Sequence, residues 1–143
     1  MLLVLDANIL FSILIRMSRT LELLLNSKLE IVSPDFILDE FIKHKDEISN
    51  KSGLDYSQLL TSIVLLGEKI SFVAVEEYKT FLPRAVEISP DKDDVDYFVL
   101  ALKLNCAIWS NDKNLKDQDK IKIYSTQELV ELLKKFDFNK KFN

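Results

Sequence analysis

Glycine is almost absent: only Gly53 and Gly67 occur in 143 residues, against a usual share of about 7%. So few cannot build a glycine-rich phosphate cradle, which removes P-loop and dinucleotide-fingerprint readings. Cysteine occurs once, as Cys106. No intrachain disulfide can form, a reducing compartment is expected, and the thiol reads as a small buried packing residue. No segment approaches the ~18 continuous apolar residues of a membrane span. Ile9 to Ile15 is apolar, but no basic residue precedes it and Asp6 and Asn8 interrupt the run, so it does not read as a signal. A cytoplasmic protein without membrane contact is the expectation. An excess of positive charge is also missing: the formal net charge is −4, which argues against holding nucleic acid by overall field.

What is present suits one compact domain. An apolar share of 48% is ample for a core and a charged share of 29% is ordinary for a surface. Short apolar runs at 2–5, 29–32, 70–75, 107–110 and 121–124 read as buried strands. Between them lie helical patterns at 8–16, 19–26, 34–49, 57–68, 76–87 and 94–104, with a last helix over 126–136. Ser33-Pro34 reads as a helix start and Ser125 with Glu128 as a capping box; Pro83 should bend or shorten its helix. The alternation calls for an α/β fold, a three-layer α/β/α sandwich on a five-stranded parallel sheet. The domain is expected over residues 1–136, with 137–143 a flexible tail.

Two of these strands run into aspartate. Met1-Leu2-Leu3-Val4-Leu5 meets Asp6, and Ala107-Ile108-Trp109-Ser110 meets Asn111-Asp112. In open α/β sheets that edge is where ligands bind. If the first and fourth strands are neighbours, Asp6 and Asp112 lie side by side there. Asp94 opens the helix that feeds the fourth strand, and Glu40 lies two turns into the helix after the second. Each carboxylate pair at ~4 Å costs about 4 kcal/mol at an effective dielectric of ~20. Protons or a divalent cation must therefore neutralise such a group, and hard oxygen ligands select Mg²⁺ or Mn²⁺. One or two such ions suit water activation and in-line attack on a phosphodiester.

The ordered set of acids resembles the PIN-domain nucleases, small single-domain ribonucleases that include the toxins of VapBC-type toxin–antitoxin pairs. The resemblance runs to about residue 136. Leu5-Asp6-Ala7-Asn8 carries the first acid and Asp39-Glu40-Phe41 the second. Asp93-Asp94-Val95-Asp96-Tyr97-Phe98-Val99-Leu100-Ala101-Leu102 carries the third, and Trp109-Ser110-Asn111-Asp112-Lys113 the fourth. The resemblance implies a Mg²⁺- or Mn²⁺-dependent endoribonuclease with Asp6, Glu40, Asp94 and Asp112 as catalytic and metal-binding residues. Asp96 is the next candidate ligand; Asp91 and Asp93 remain open at the third position, as does Asp39 at the second. Asn8 and Ser110 are expected to orient a carboxylate or water. Lys113 and Lys116, with Lys120 and Lys122, crowd the connection after the fourth strand and are candidates for holding RNA phosphates, as is Lys43. An antitoxin protein is an expected partner of the toxin members. A homodimer is expected from apolar residues surplus to one core: Phe11, Ile13, Leu59, Leu60 and Leu65.

Each acid also has a plainer reading. Asp93 and Asp94 are good helix N-caps, Asp6 is placed to cap the helix that follows it, and Asp112 to open a turn with Asn111 and Asn114. Asn8 and Ser110 are equally good local caps, and His44, in Lys43-His44-Lys45, reads as part of a solvated helix face. Two rival enzyme classes lose on residue type. A phosphoacceptor receiver domain needs adjacent acids after strand one and a lone aspartate after strand three, where Val75-Glu76-Glu77 stands. A haloacid-dehalogenase-type phosphatase needs a second aspartate where Asn8 stands. The remaining alternative is a catalytically weak or inactive PIN-fold module that binds RNA or a protein.

Overall fold

Four aliphatic residues in a row leave no polar face, so Leu2–Leu5 (β1) is stable only inside a sheet covered on both sides. Leu3, Val4 and Leu5 are fully buried. The computed structural model describes residues 1–16 and 19–142, with side chains as far as Asp137. After β1 come helices α1 (Ala7–Ile15) and α2 (Arg19–Leu24), strand β2 (Glu30–Pro34), then α3 (Phe36–Ser52) and α4 (Tyr56–Leu66). Strand β3 (Ile70–Val73) leads to α5 (Val75–Tyr78) and α6 (Leu82–Ile88). Helix α7 (Val95–Leu104), β4 (Ala107–Trp109), β5 (Ile123–Tyr124) and α8 (Thr126–Phe142) complete the chain. The fold is the expected α/β/α sandwich.

All five strands are parallel, in the order β3-β2-β1-β4-β5. From β1 the chain builds outward through β2 and β3, then returns to the other side of β1 for β4 and β5. The order reverses between β1 and β4, so the crevice at their carboxyl ends is the topological switch point, where open sheets bind ligands. Leu5 pairs with Trp109 in the register, and this sets Asp6 beside Ser110. Helix α7 lies against β1, β2 and β4. Its Val95, Tyr97, Phe98, Val99, Leu100 and Ala101 are all buried, because a helix facing the middle of a covered sheet has almost no solvent side.

Several boundaries differ from the sequence reading. Ser33-Pro34 does not start a helix: β2 continues through both residues, and the Ser33 hydroxyl donates to the Leu5 carbonyl at 3.0 Å. The pattern over 76–87 is broken into α5, a 3₁₀ turn at Lys79–Phe81, and α6, with Pro83 in the first turn of α6. Helix α8 does not stop at residue 136; residues 137–142, expected as a tail, continue it. The Ser125–Glu128 capping box is present in both directions, at 3.1 and 3.0 Å. The break expected between the first two helices falls partly on Met17 and Ser18, outside the described residues, as does Asn143. Cys106 packs against the core, and burial pushes its thiol up to about 11. Among the described residues, no helix is long and apolar enough to cross a membrane.

Candidate metal centre

Asp6 prolongs the β1–β4 ladder by donating its N–H to the Trp109 carbonyl at 3.1 Å. That bond fixes where its side chain emerges. The Ser110 hydroxyl donates to Asp6 Oδ2 at 2.6 Å, and the Asp112 N–H donates to the same Ser110 Oγ at 3.0 Å. One buried hydroxyl thus ties together two aspartates that are 106 positions apart in the sequence. Asp6 is only 3% exposed, and no lysine, arginine or histidine forms an ion pair with it among the described residues. Burial raises its pKa. The Ser110 bond and the Ala7 and Asn8 amides oppose that rise, and the Asp112 charge adds to it. The Ala7 and Asn8 amides at the start of α1 face its side chain without forming a cap bond of normal geometry, and the bond that holds it is the one from Ser110.

Asp94 closes the 3₁₀ turn Lys92–Asp94 at the entrance to α7 and also makes no cap bond with its side chain. Burial, then the charges of Asp6, Asp91, Asp112 and Asp93, push its carboxyl up to about 7. A carboxyl raised first by burial and then by other acids, with no cation among the described residues to offset either, marks a site short of positive charge. Glu40 is half-buried on α3 while Asp39 is exposed, and its charge acts on the Tyr97 hydroxyl, though it is not among those acting on Asp6 or Asp94. Glu40 Oε2 stands 3.8 Å from His44 Nε2.

Other candidates lie differently. Asp96 accepts from the Tyr78 hydroxyl at 2.7 Å, turned toward α5 and absent from the charges that act on Asp6 or Asp94. Asp91 is exposed and accepts from the Asp93 N–H at 2.9 Å, capping the 3₁₀ turn; Asp93 is exposed as well. Asp112 keeps a turn role in addition, accepting from the Asn114 N–H at 3.0 Å. The acids are gathered but not closed into a cage. Among the described residues, no group of three or more acids, histidines or cysteines is arranged to hold an ion as it stands. Side-chain rotation would have to bring the carboxylates inward.

A family profile described as the PIN domain matches residues 4–135. The chain belongs to the PIN-domain family. No curated protein sequence matches it. Among solved structures it is similar to one described as VapBC2 from Rickettsia felis bound to a DNA fragment from their promoter. That similarity has a TM-score of 0.60 and 17% identity over 87% of this chain and 98% of the other. At that identity the likeness concerns the fold. PIN domains are generally nucleases that use divalent metals, and the oxygen-only donor set at this sheet edge suits a hard divalent cation.

The surroundings of this PIN domain's acids are uneven. Asn8 is exposed and lines a groove of about 330 Å³ between α1 and α3 with Phe11, Ser12, His44 and Lys51. Its backbone amide, rather than its side chain, acts on Asp6. Lys43 and Lys113 are exposed, whereas Lys116 is paired with Glu128 at 2.5 Å. That pairing, with the cap bonds of Ser125, holds Glu128 down at about 2. Sequence reasoning passed over Tyr97, which is 1% exposed. Its hydroxyl lies where the charges of Asp6, Glu40 and Asp94 all act. The signal was available: Tyr97 stands one helical turn after Asp94 and opens the apolar run Phe98-Val99-Leu100-Ala101, and a buried hydroxyl there needs a partner.

Proposed function

We propose that this PIN domain is a Mg²⁺- or Mn²⁺-dependent endoribonuclease whose ion is held by Asp6, Glu40, Asp94 and Asp112. The observation that carries the reading is the gathering of Asp6, Asp94 and Asp112 at the switch point: Ser110 ties Asp6 to the Asp112 backbone, the Asp112 charge raises Asp6, and the Asp6 and Asp112 charges raise Asp94. A divalent cation, when bound, supplies charge stabilisation for a phosphodiester under attack and acidifies water. The chain's own part is to place its carboxylates. Ser110 holds Asp6 Oδ2 and the Asp112 amide at once, so the two strand ends move as one unit. Asp94, whose carboxyl is raised to about 7, would hold the cation in its ionised form. Asp96, held by Tyr78, stands apart from that set. Lys43 and Lys113, exposed close to Glu40 and Asp112 in the chain, are free to meet phosphate oxygens; Lys116 must first leave Glu128.

The similarity to a VapBC2 structure supports an antitoxin-restrained toxin as the setting, with a protein partner covering the acidic crevice. A homodimer is a further part of this reading. Ile13 and Leu59 are in the core, so the surface would come from α4 through Leu60, Val64 and Leu65, which are 40%, 74% and 62% exposed. The test of the nuclease is direct. With Mn²⁺ supplied, the parent should cut single-stranded or structured RNA, and Asp6→Asn should lose nearly all of that rate while folding normally. Equal cleavage by Asp6→Asn would remove the mechanism.

A further inference from the structure

Among the described residues, the Tyr97 hydroxyl is the buried side-chain polar atom with no hydrogen-bond partner of normal geometry; the Ala7 N–H faces it as a donor, so what it lacks is an acceptor for its own proton. Groups of that kind are rare in folded proteins because an unpaired buried donor loses its water without replacement. Where Tyr97 sits gives the reason. It follows Asp94 by one turn of α7, on the same face of the helix. Its ring meets the edge of Phe36 with centroids 6.2 Å apart, and Phe36 opens α3 one turn before Glu40. Helix α7 also lies on β1, which ends at Asp6. The ring is therefore lodged between the three elements that deliver Asp94, Glu40 and Asp6. A phenol carries its proton at neutral pH whatever its surroundings, and the charges of Asp6, Glu40 and Asp94 all act on this one. It is a neutral donor set among acceptors.

We propose that Tyr97 is a positioning residue of the carboxylate site: its hydroxyl donates a hydrogen bond to a carboxylate of the set formed by Asp6, Glu40 and Asp94, and fixes that side chain's rotamer for cation binding. The proposal rests on the metal-site reading above. The hydroxyl gains the acceptor it lacks as the carboxylates rotate inward. In return, a neutral donor withdraws charge from a crowded acid without adding a competing cation. Phenylalanine would fill the same space and supply neither effect.

The test uses the full chain as parent, Tyr97→Phe and Asp6→Asn, with Mn²⁺ titrated by calorimetry and melting followed in chelator. Tyr97→Phe should melt in chelator at the parent's temperature or higher, since it discards an unsatisfied hydroxyl. Its Mn²⁺ affinity should fall about tenfold, the lower end of the effect of losing a group that orients a metal ligand. The rate of RNA cleavage at saturating RNA should fall with KM little changed. Parental Mn²⁺ affinity in Tyr97→Phe would overturn the proposal, and a lowered melting temperature with that affinity kept would assign Tyr97 to packing alone. If the parent shows no Asp6-dependent Mn²⁺ site, the metal reading itself fails and this role falls with it.

Discussion

Ser110 shows how much one side chain can decide. Its hydroxyl gives its proton to Asp6 and accepts one from the Asp112 backbone, so its removal leaves a buried carboxylate and an amide short of partners. Ser110→Ala should cost about 1–3 kcal/mol, measured by urea unfolding without metal, and should weaken Mn²⁺ binding as well. An unchanged midpoint would mean that water replaces the hydroxyl at no cost. Asp94 makes a prediction with a definite sign. Its pKa is raised from 3.8 to about 7 in the folded state, so the folded chain binds more protons than the unfolded one between those values. That contribution is complete below the lower value and lost as pH rises through the upper one. Without metal, the protein should melt at a lower temperature near about pH 8 than near about pH 5. Asp94→Asn should shrink the difference; Asp6, raised in the same direction, leaves a remainder. A melting temperature that climbs over that range would contradict the placement of these acids.

At the scale of elements, helical phase and caps do most of the selecting. Asp39 and Glu40 are adjacent in sequence, yet α3 exposes the first and half-buries the second. The same rotation sends Asp96 to Tyr78 and leaves Asp94 at the crevice. Gly53 ends α3 in the left-handed region at φ 75°, and a Cβ at that position would meet nothing within 4 Å. Gly53→Ala should therefore cost about 1 kcal/mol through the backbone alone. Urea unfolding would read that cost, and RNA cleavage should stay at the parental rate. Loss of cleavage would mean that the end of α3 controls where Glu40 sits. Ser33-Pro34 is the counter-example. Its residues are good local signals for a helix start, but pairing with β3 and the bond to Leu5 O keep them in β2. A continuous ladder outweighs a cap worth about 1 kcal/mol.

For the whole molecule, the carboxylates join strand ends and helices distant in sequence, so a cation that binds them should bind the folded chain alone. Excess Mn²⁺ should raise the parent's melting temperature through that linkage, and raise that of Asp6→Asn far less. Equal shifts would mean general surface binding. Association belongs to this scale too: light scattering should give twice the mass of one chain, and Val64→Lys on α4 should return it to one. A parent of single-chain mass would remove the dimer.

The five strands, the parallel sheet and the strand-end aspartates were legible in the sequence, because buried strands announce themselves as short apolar runs and the fold class follows from their alternation with helices; the order of the strands in the sheet was not. Asp6 stood out since a run of four aliphatic residues does not end on a carboxylate without cause. The tertiary structure alone decided which acids share a crevice and which only sit near one another in the chain. That choice depends on the β1–β4 register, on the phase of α3 and α7, and on a serine hydroxyl that reaches across two strands, none of which local composition encodes. Tyr97 needed the same step: a tyrosine in an apolar helix is ordinary until the packing of three elements places its hydroxyl among acids.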